Sequence, residues 1–418
     1  MRRFSLATAI LGLIYLAALS VAGIFLLQTF ELAQTLPVIQ ARALATRTPT
    51  IAPTSAPLII PPSPVPPTPL PTAEPPATTP VSYHPKSGRL ITVWLPPTFQ
   101  GGARESFFAN ADIIDDISPF WYSTDASGRI YGTRNAELVR IAHEHNVRII
   151  PSLHNVTDNP NVVATVLRNP AVRARHIEAI VDEVLTHNYD GIDIDYEGLD
   201  ATLRASYSAF IRELGARLRQ HDKLLTVAVH AKASDYGGLG GFQDWAEIGK
   251  HVDQLRIMTY DYHWRGSGPG PVAPSYWIEA VTTYARSVVD PGKVLLGVHF
   301  YGYDWPPSGQ ATARPWRLIE EIINREQATV NFMERNSSGP VQESYFTYRS
   351  DQGRREVWFM TETGLASKIE TVQERDLAGI AIWQLGYEQP DYWRVVRERM
   401  VNDPTLVQRA LNAFLPDH

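Results

Sequence analysis

Nine residues, Tyr189 to Glu197, read YDGIDIDYE and carry four acids. Side chains along a strand alternate with period two, so Asp193, Asp195 and Glu197 share one face. Ile192, Ile194 and Tyr196 share the other. Neighbouring same-face positions lie roughly 6.5–7 Å apart. Three carboxyls at that spacing in a closed interior cannot all ionise easily, so at least one is pushed toward its protonated form. A carboxyl kept protonated near neutral pH can act as a general acid. Glu197 ends the strand and is the expected proton donor. Asp190 has the opposite parity and reads as a structural cap. Two other readings compete with this one. A surface edge strand could carry alternating acids, but the opposite face here is apolar. A divalent metal site would need ligands from other segments, and no His-rich companion is present. No metal and no cofactor is expected.

Such a strand needs a frame that buries one face and opens at one end. Strand-like runs recur at 89–95, 112–122, 147–152, 190–197, 224–230, 254–260, 294–301 and 378–384. Helical patterns fall between most of them, including Ala171–His187, Ala201–Gln220, Tyr276–Val289 and Ala366–Glu374. Eight strands alternating with helices predict an α/β fold, a (β/α)8 barrel, whose active sites lie at the C-terminal ends of the strands. The gap between the seventh and eighth strands is long. Residues 305–365 hold a helical piece (Trp316–Arg325) and strand-like pieces (ESYFTYR, REVWFMT), which predict a small α+β insertion. There is no internal repeat.

The segment DGIDIDYE resembles the DGxDxDxE signature of glycoside hydrolase family 18, the chitinase-like barrel enzymes, and it falls on the fourth strand. Met258-Thr259-Tyr260-Asp261 is similar to that family's MxYD, and Trp383 to the tryptophan that floors its sugar subsite. Within the family, ISPFWYS (117–123), SGPGPVAPSYW (267–277) and GVHFYGYDW (297–305) look closest to the spore-cortex and peptidoglycan-lytic branch. One segment departs from the pattern. Where family chitinases often carry SxGG, this chain has Ser152-Leu153-His154-Asn155. Ser152 can still support the acidic strand, but the glycines are absent.

The resemblance implies a retaining, substrate-assisted glycosidase. Glu197 would protonate the glycosidic oxygen while the substrate's own 2-acetamido carbonyl attacks the anomeric carbon. Asp195 would orient the acetamido group, and Asp193 would share a proton with Asp195. The Tyr260 hydroxyl would hydrogen-bond the acetamido oxygen, and Asp261 would contact the sugar or tune the acid. Trp383 is the expected subsite floor. Trp121, Tyr122, Trp264, Tyr301 and Trp305 follow strand ends and are candidates for the cleft wall; among them Trp121 and Tyr301, with Ser152 and His263, complete the expected substrate-binding set. His154, His230 and His299 read as structural. A non-catalytic, lectin-like protein on the same barrel and a wall-attachment protein are the alternatives. The retained Glu197, Asp193, Asp195 and Tyr260 argue against the lectin, and catalytic activity would exclude both.

Outside the barrel, residues 1–30 predict a transmembrane signal-anchor. No charge occurs between Arg3 and Glu31, a run long enough to span a bilayer, and Arg2 and Arg3 would keep the short end inside. Residues 31–85 predict a linker: 13 of the 32 residues from Pro49 to Pro80 are proline, which favours a stiff extended spacer. Residues 86–418 form the expected catalytic unit, which would then sit outside the cell membrane, or be secreted if the segment is cleaved. The net charge of −6 excludes a basic nucleic-acid footprint, and the absence of cysteine excludes disulfides and thiolate chemistry. The expected partner is a polysaccharide containing N-acetylglucosamine, bound by a monomer.

Overall fold

The computed structural model describes residues 85–155, 160–235, 238–401 and 403. The predicted anchor and nearly all of the predicted linker lie outside these residues. Among the described residues no helix is long and apolar enough to cross a membrane.

Eight parallel positions close into a barrel. They are β1 (Leu90–Leu95), β2 (Asp116–Thr124), a third position split into β4 (Arg148–Ile149) and β5 (Ser152–His154), β6 (Gly191–Asp195), β7 (Leu224–His230), β8 (Gln254–Met258), β9 (Val294–His299) and β15 (Gly379–Trp383). The short β3 (Ile130–Gly132) is antiparallel to β2. Closure is made by β1, which pairs with β15 through Leu90 opposite Gly379 and with β2 through Thr92 opposite Asp116. The third position breaks at Pro151, which has no N–H to give a ladder. Its carbonyl still accepts from Asp193 N at 2.9 Å.

The helices carry apolar stripes at helical spacing. The helix Pro170–Thr186 starts on an Asn169 cap, whose side chain accepts from Ala171 N and Val172 N, and it buries Val172, Ile177, Ile180, Val181 and Val184. Ile192, Ile194 and Tyr196 of the acidic strand join this outer apolar layer. Gly191 is fixed by space: a Cβ there would lie 2.3 Å from the Leu224 carbonyl oxygen on β7.

The chain between β9 and β15 forms the insertion. Its strands β10 (Tyr301–Trp305), β11 (Thr312–Pro315), β12 (Asn331–Asn336), β13 (Gly339–Ser350) and β14 (Gly353–Phe359) make one antiparallel sheet in the order β11-β10-β14-β13-β12. The helix Trp316–Glu326 packs on it through Ile319 and Ile322 against Phe346, Val357 and Phe359. The insertion begins at Tyr301, not at 305, because Gly302–Trp305 pair with β14 instead of continuing β9. It ends at Phe359, not at 365, and the helix that follows starts at Glu362.

The lower barrel interior is polar. The buried Arg256 donates to Ser118 Oγ at 2.6 Å and Gln254 Oε1 at 3.0 Å. It also lies 3.5 Å from Asp193 Oδ1 and 3.6 Å from Asp116 Oδ2. Losing one member of a buried charged set leaves the others without compensation. Arg256→Met is therefore expected to cost about 3–5 kcal/mol of unfolding free energy, checked by urea titration of the variant beside the wild type.

Candidate active site

The acidic strand points its carboxyls into the barrel, and their surroundings differ step by step. Asp193 is buried and fully engaged. Trp94 Nε1 donates to its Oδ2 at 2.8 Å and Ser152 Oγ at 2.9 Å, while Thr226 Oγ1 donates to its Oδ1 at 2.6 Å. These donors come from β1, β5 and β7. Asp195 is buried one step further up, and its Oδ1 has no hydrogen-bond partner. Desolvation, then the nearby Glu197 and Asp193, hold its carboxyl well above the usual aspartate range. Donors from three strands thus occupy both Asp193 oxygens.

Glu197 lies past the end of β6 with its side chain 34% exposed. Desolvation, then the Asp261 charge, raise its carboxyl to about 7. Asp261 follows β8 in a left-handed conformation (φ 62°), which aspartate tolerates better than most residues. Its carboxyl accepts from the Tyr301 hydroxyl and from the Tyr303 hydroxyl at 3.1 Å. Desolvation outweighs these two donors and raises its pKa. Both tyrosines belong to β10, so the insertion supplies part of the site.

Asp195, Glu197, Tyr260 and Asp261 line one cleft of about 870 Å³ with Trp383 and Tyr301. Trp94, Phe120, Trp264, Trp277, Tyr303 and Tyr387 add further aromatic faces. Trp383 stands edge-on to Trp94 at 6.1 Å and to Phe120 at 5.3 Å between ring centres, which fixes its plane. No lysine or arginine is among the described lining residues. The cleft therefore offers hydrophobic faces for stacking, a carboxyl poised near neutrality and a second, buried acid beside it.

Several expected contacts fall elsewhere. Trp121 is buried and packs on Tyr189 at 6.0 Å in the apolar layer, while Phe120 takes the cleft position. Alternation along β2 decides between them: Ser118 faces the interior Arg256, so Phe120 two residues on faces inward too. His263 does not line the cleft. Its Nδ1 pairs with Gly268 O at 3.0 Å and its ring fills the space above Gly270, within its own loop. Ser152 is buried behind Asp193 and supports it without reaching the cleft. Tyr122 is tied to Glu183 and Tyr189, and Trp305 is buried with its Nε1 on Ser267 O. Asp190 does cap: its Oδ2 accepts from Ile149 N at 2.8 Å and pairs with His143 Nε2 at 2.9 Å. Trp94 and Tyr303 line the cleft outside the expected set. The period-two pattern of β1 could have flagged Trp94, whereas Tyr303 depends on a strand that leaves the barrel.

The comparisons with known proteins agree with this geometry. The family model for glycosyl hydrolases family 18 matches residues 108–388. The candidate sporulation-specific glycosylase YdhD of Bacillus subtilis is 34% identical over 292 residues, 68% of each protein. Its crystal structure superposes with a TM-score of 0.60 at 33% identity, covering 63% of this chain and 89% of that one. The Bacillus cereus spore cortex-lytic enzyme SleL (TM-score 0.69, 21% identity, 75% of this chain and 74% of that one) shares the fold. So does a chitinase from Chromobacterium violaceum (TM-score 0.68, 23% identity, 74% and 98%). The family match spans the acidic strand, the Tyr260-Asp261 pair and Trp383, all of which the barrel brings to one cleft, and on these grounds the chain is a glycoside hydrolase that belongs to the glycosyl hydrolases family 18.

Proposed function

We propose that the protein is a retaining glycosidase that cleaves glycans containing N-acetylglucosamine, with peptidoglycan or a derivative favoured and chitin second. One observation carries this reading: Glu197, raised to about 7, stands in an aromatic cleft that Asp195, Tyr260 and Asp261 also line. A protonated Glu197 gives its proton to the glycosidic oxygen as the bond to the anomeric carbon breaks. The 2-acetamido carbonyl oxygen of the sugar on the non-leaving side forms the new bond to that carbon. Asp195 receives the acetamido N–H and supports the positive charge that develops on the group. The Tyr260 hydroxyl donates to the acetamido oxygen, and Trp383 stacks beneath the ring. Glu197 then takes a proton from the incoming water, whose oxygen replaces the acetamido oxygen at the anomeric carbon. The name of YdhD, a sporulation-specific glycosylase, supports a glycan of the spore over chitin. The apolar N-terminal run and the proline-rich spacer support display outside a membrane.

Glu197→Gln is expected to lower turnover by ~10²–10⁴-fold, with binding retained. Purified peptidoglycan and chitin oligosaccharides incubated with each protein, and products identified by mass spectrometry, check this. Equal cleavage by the variant would remove Glu197 from the role. Binding without cleavage by the wild type would favour a lectin.

The raised pKa also sets a pH dependence. The acid must be protonated, so kcat/KM is expected to fall as pH rises through about 7. Stability has the same sign. A carboxyl easier to protonate in the folded than in the unfolded state contributes fully below the ordinary glutamate value, and that contribution is lost as pH rises through about 7. Glu197→Gln has no such charge to accommodate. Its Tm should therefore gain on the wild type between pH 5 and pH 8, measured by calorimetry at both values.

A further inference from the structure

The ladder of β6 stops at Asp195, where its partner on β5 is His154. Tyr196, Glu197 and Gly198 lie beyond it, so their backbone groups need other partners at the mouth of the barrel. Side chains supply them. Asn155 accepts from Glu197 N at its Oδ1 (2.7 Å) and donates from its Nδ2 to Glu197 O (2.9 Å). Gly198 N donates to His230 Nε2 at 3.3 Å, and Gln243 Nε2 donates to Tyr196 O at 3.4 Å. Gln243 is itself fixed, because its Oε1 accepts from His230 N at 2.9 Å. Burial holds the His230 pKa down to about 4, so its Nε2 is free to accept.

The Asn155 contact is the most specific of these. A single amide closes a ring with both polar groups of one peptide residue, as a neighbouring strand would. It therefore fixes both position and rotation of the Glu197 backbone, and with them the origin of the Glu197 side chain. Asn155 stands at the last position of the Ser152–Asn155 segment, where the SxGG pattern has a glycine, and a glycine has no side chain to make either bond.

We propose that Asn155 is a positioning residue for the acid: its amide extends the sheet by one residue at Glu197 and so aims the Glu197 carboxyl into the cleft. This rests on Glu197 being the proton donor. Its contribution should appear in turnover and not in binding, since Asn155 does not line the cleft. A misplacement of about 1 Å at a reacting group costs up to ~10²-fold in rate.

The test compares the wild type with Asn155→Ala and Asn155→Asp on the glycan that the wild type cleaves. It also follows the Glu197 carboxyl by ¹³C NMR titration, which needs no turnover. For Asn155→Ala, kcat is expected to fall ~10–100-fold with KM within about twofold. The Glu197 midpoint should move down from about 7, because the released side chain reaches more water. Asn155→Asp keeps the acceptor for Glu197 N but loses the donor to Glu197 O. It should lose kcat too while its added charge moves the midpoint up, and it serves if the alanine variant folds poorly. A lowered Tm with unchanged kcat and an unchanged midpoint would mean a purely structural role and overturn the proposal. If the wild type cleaves nothing but the midpoint still moves in Asn155→Ala, the positioning stands and the glycosidase reading falls.

Discussion

The structure depends on how a closed barrel accommodates an acidic strand. Burying a carboxyl costs several kcal/mol unless donors replace its water. At Asp193 the replacement is complete: Trp94, Ser152 and Thr226 all donate, and Arg256 lies 3.5 Å away. Those groups sit on four different strands, so the barrel must close in one register to bring them together. Arg256 is in turn held by Ser118 and Gln254. The polar floor is thus a single network, and the chemistry above it inherits its rigidity.

The same network explains why the three acids are unequal. Donors are spent at the bottom of the strand. Asp195 finds none for its Oδ1, and desolvation, then the nearby Glu197 and Asp193, raise its pKa. Glu197 has partial access to water and is raised only to about 7, where a proton can move both ways. A gradient of donors along one strand therefore gives three like carboxyls three different environments. The insertion takes part as well. Its β10 sends Tyr301 and Tyr303 to Asp261, and its buried Glu343 accepts from Val272 N and Ala273 N in the loop that follows Asp261.

Much of this was legible in the residues. Alternating strands and helices specified the barrel, because apolar periodicity reports which face is buried. The predicted strand 224–230 matches β7 to the residue. The parity of DGIDIDYE separated the inward acids from the outward isoleucines and Tyr196, and set Asp190 apart as a cap. These are local properties, fixed by backbone geometry once a strand forms.

Other features depended on which strands meet. Whether Trp121 or Phe120 faces the cleft follows from β2 in its final register, next to Arg256. The route of the chain after His299 could not be read from 294–301, since both sheets accept the same apolar alternation and only the pairing of β10 with β14 separates them. His263 looked like a ligand contact by its distance in sequence from Asp261, yet it fills its own loop. The bonds from Asn155 to Glu197 join residues 42 positions apart, and no spacing rule links them. Sequence by itself determined the periodicities, the faces and the order of the acids, because these need only the geometry of one strand or helix. Tertiary structure decided the donors, the pKa values and the wall of the cleft, because each depends on side chains that only barrel closure brings within hydrogen-bonding distance.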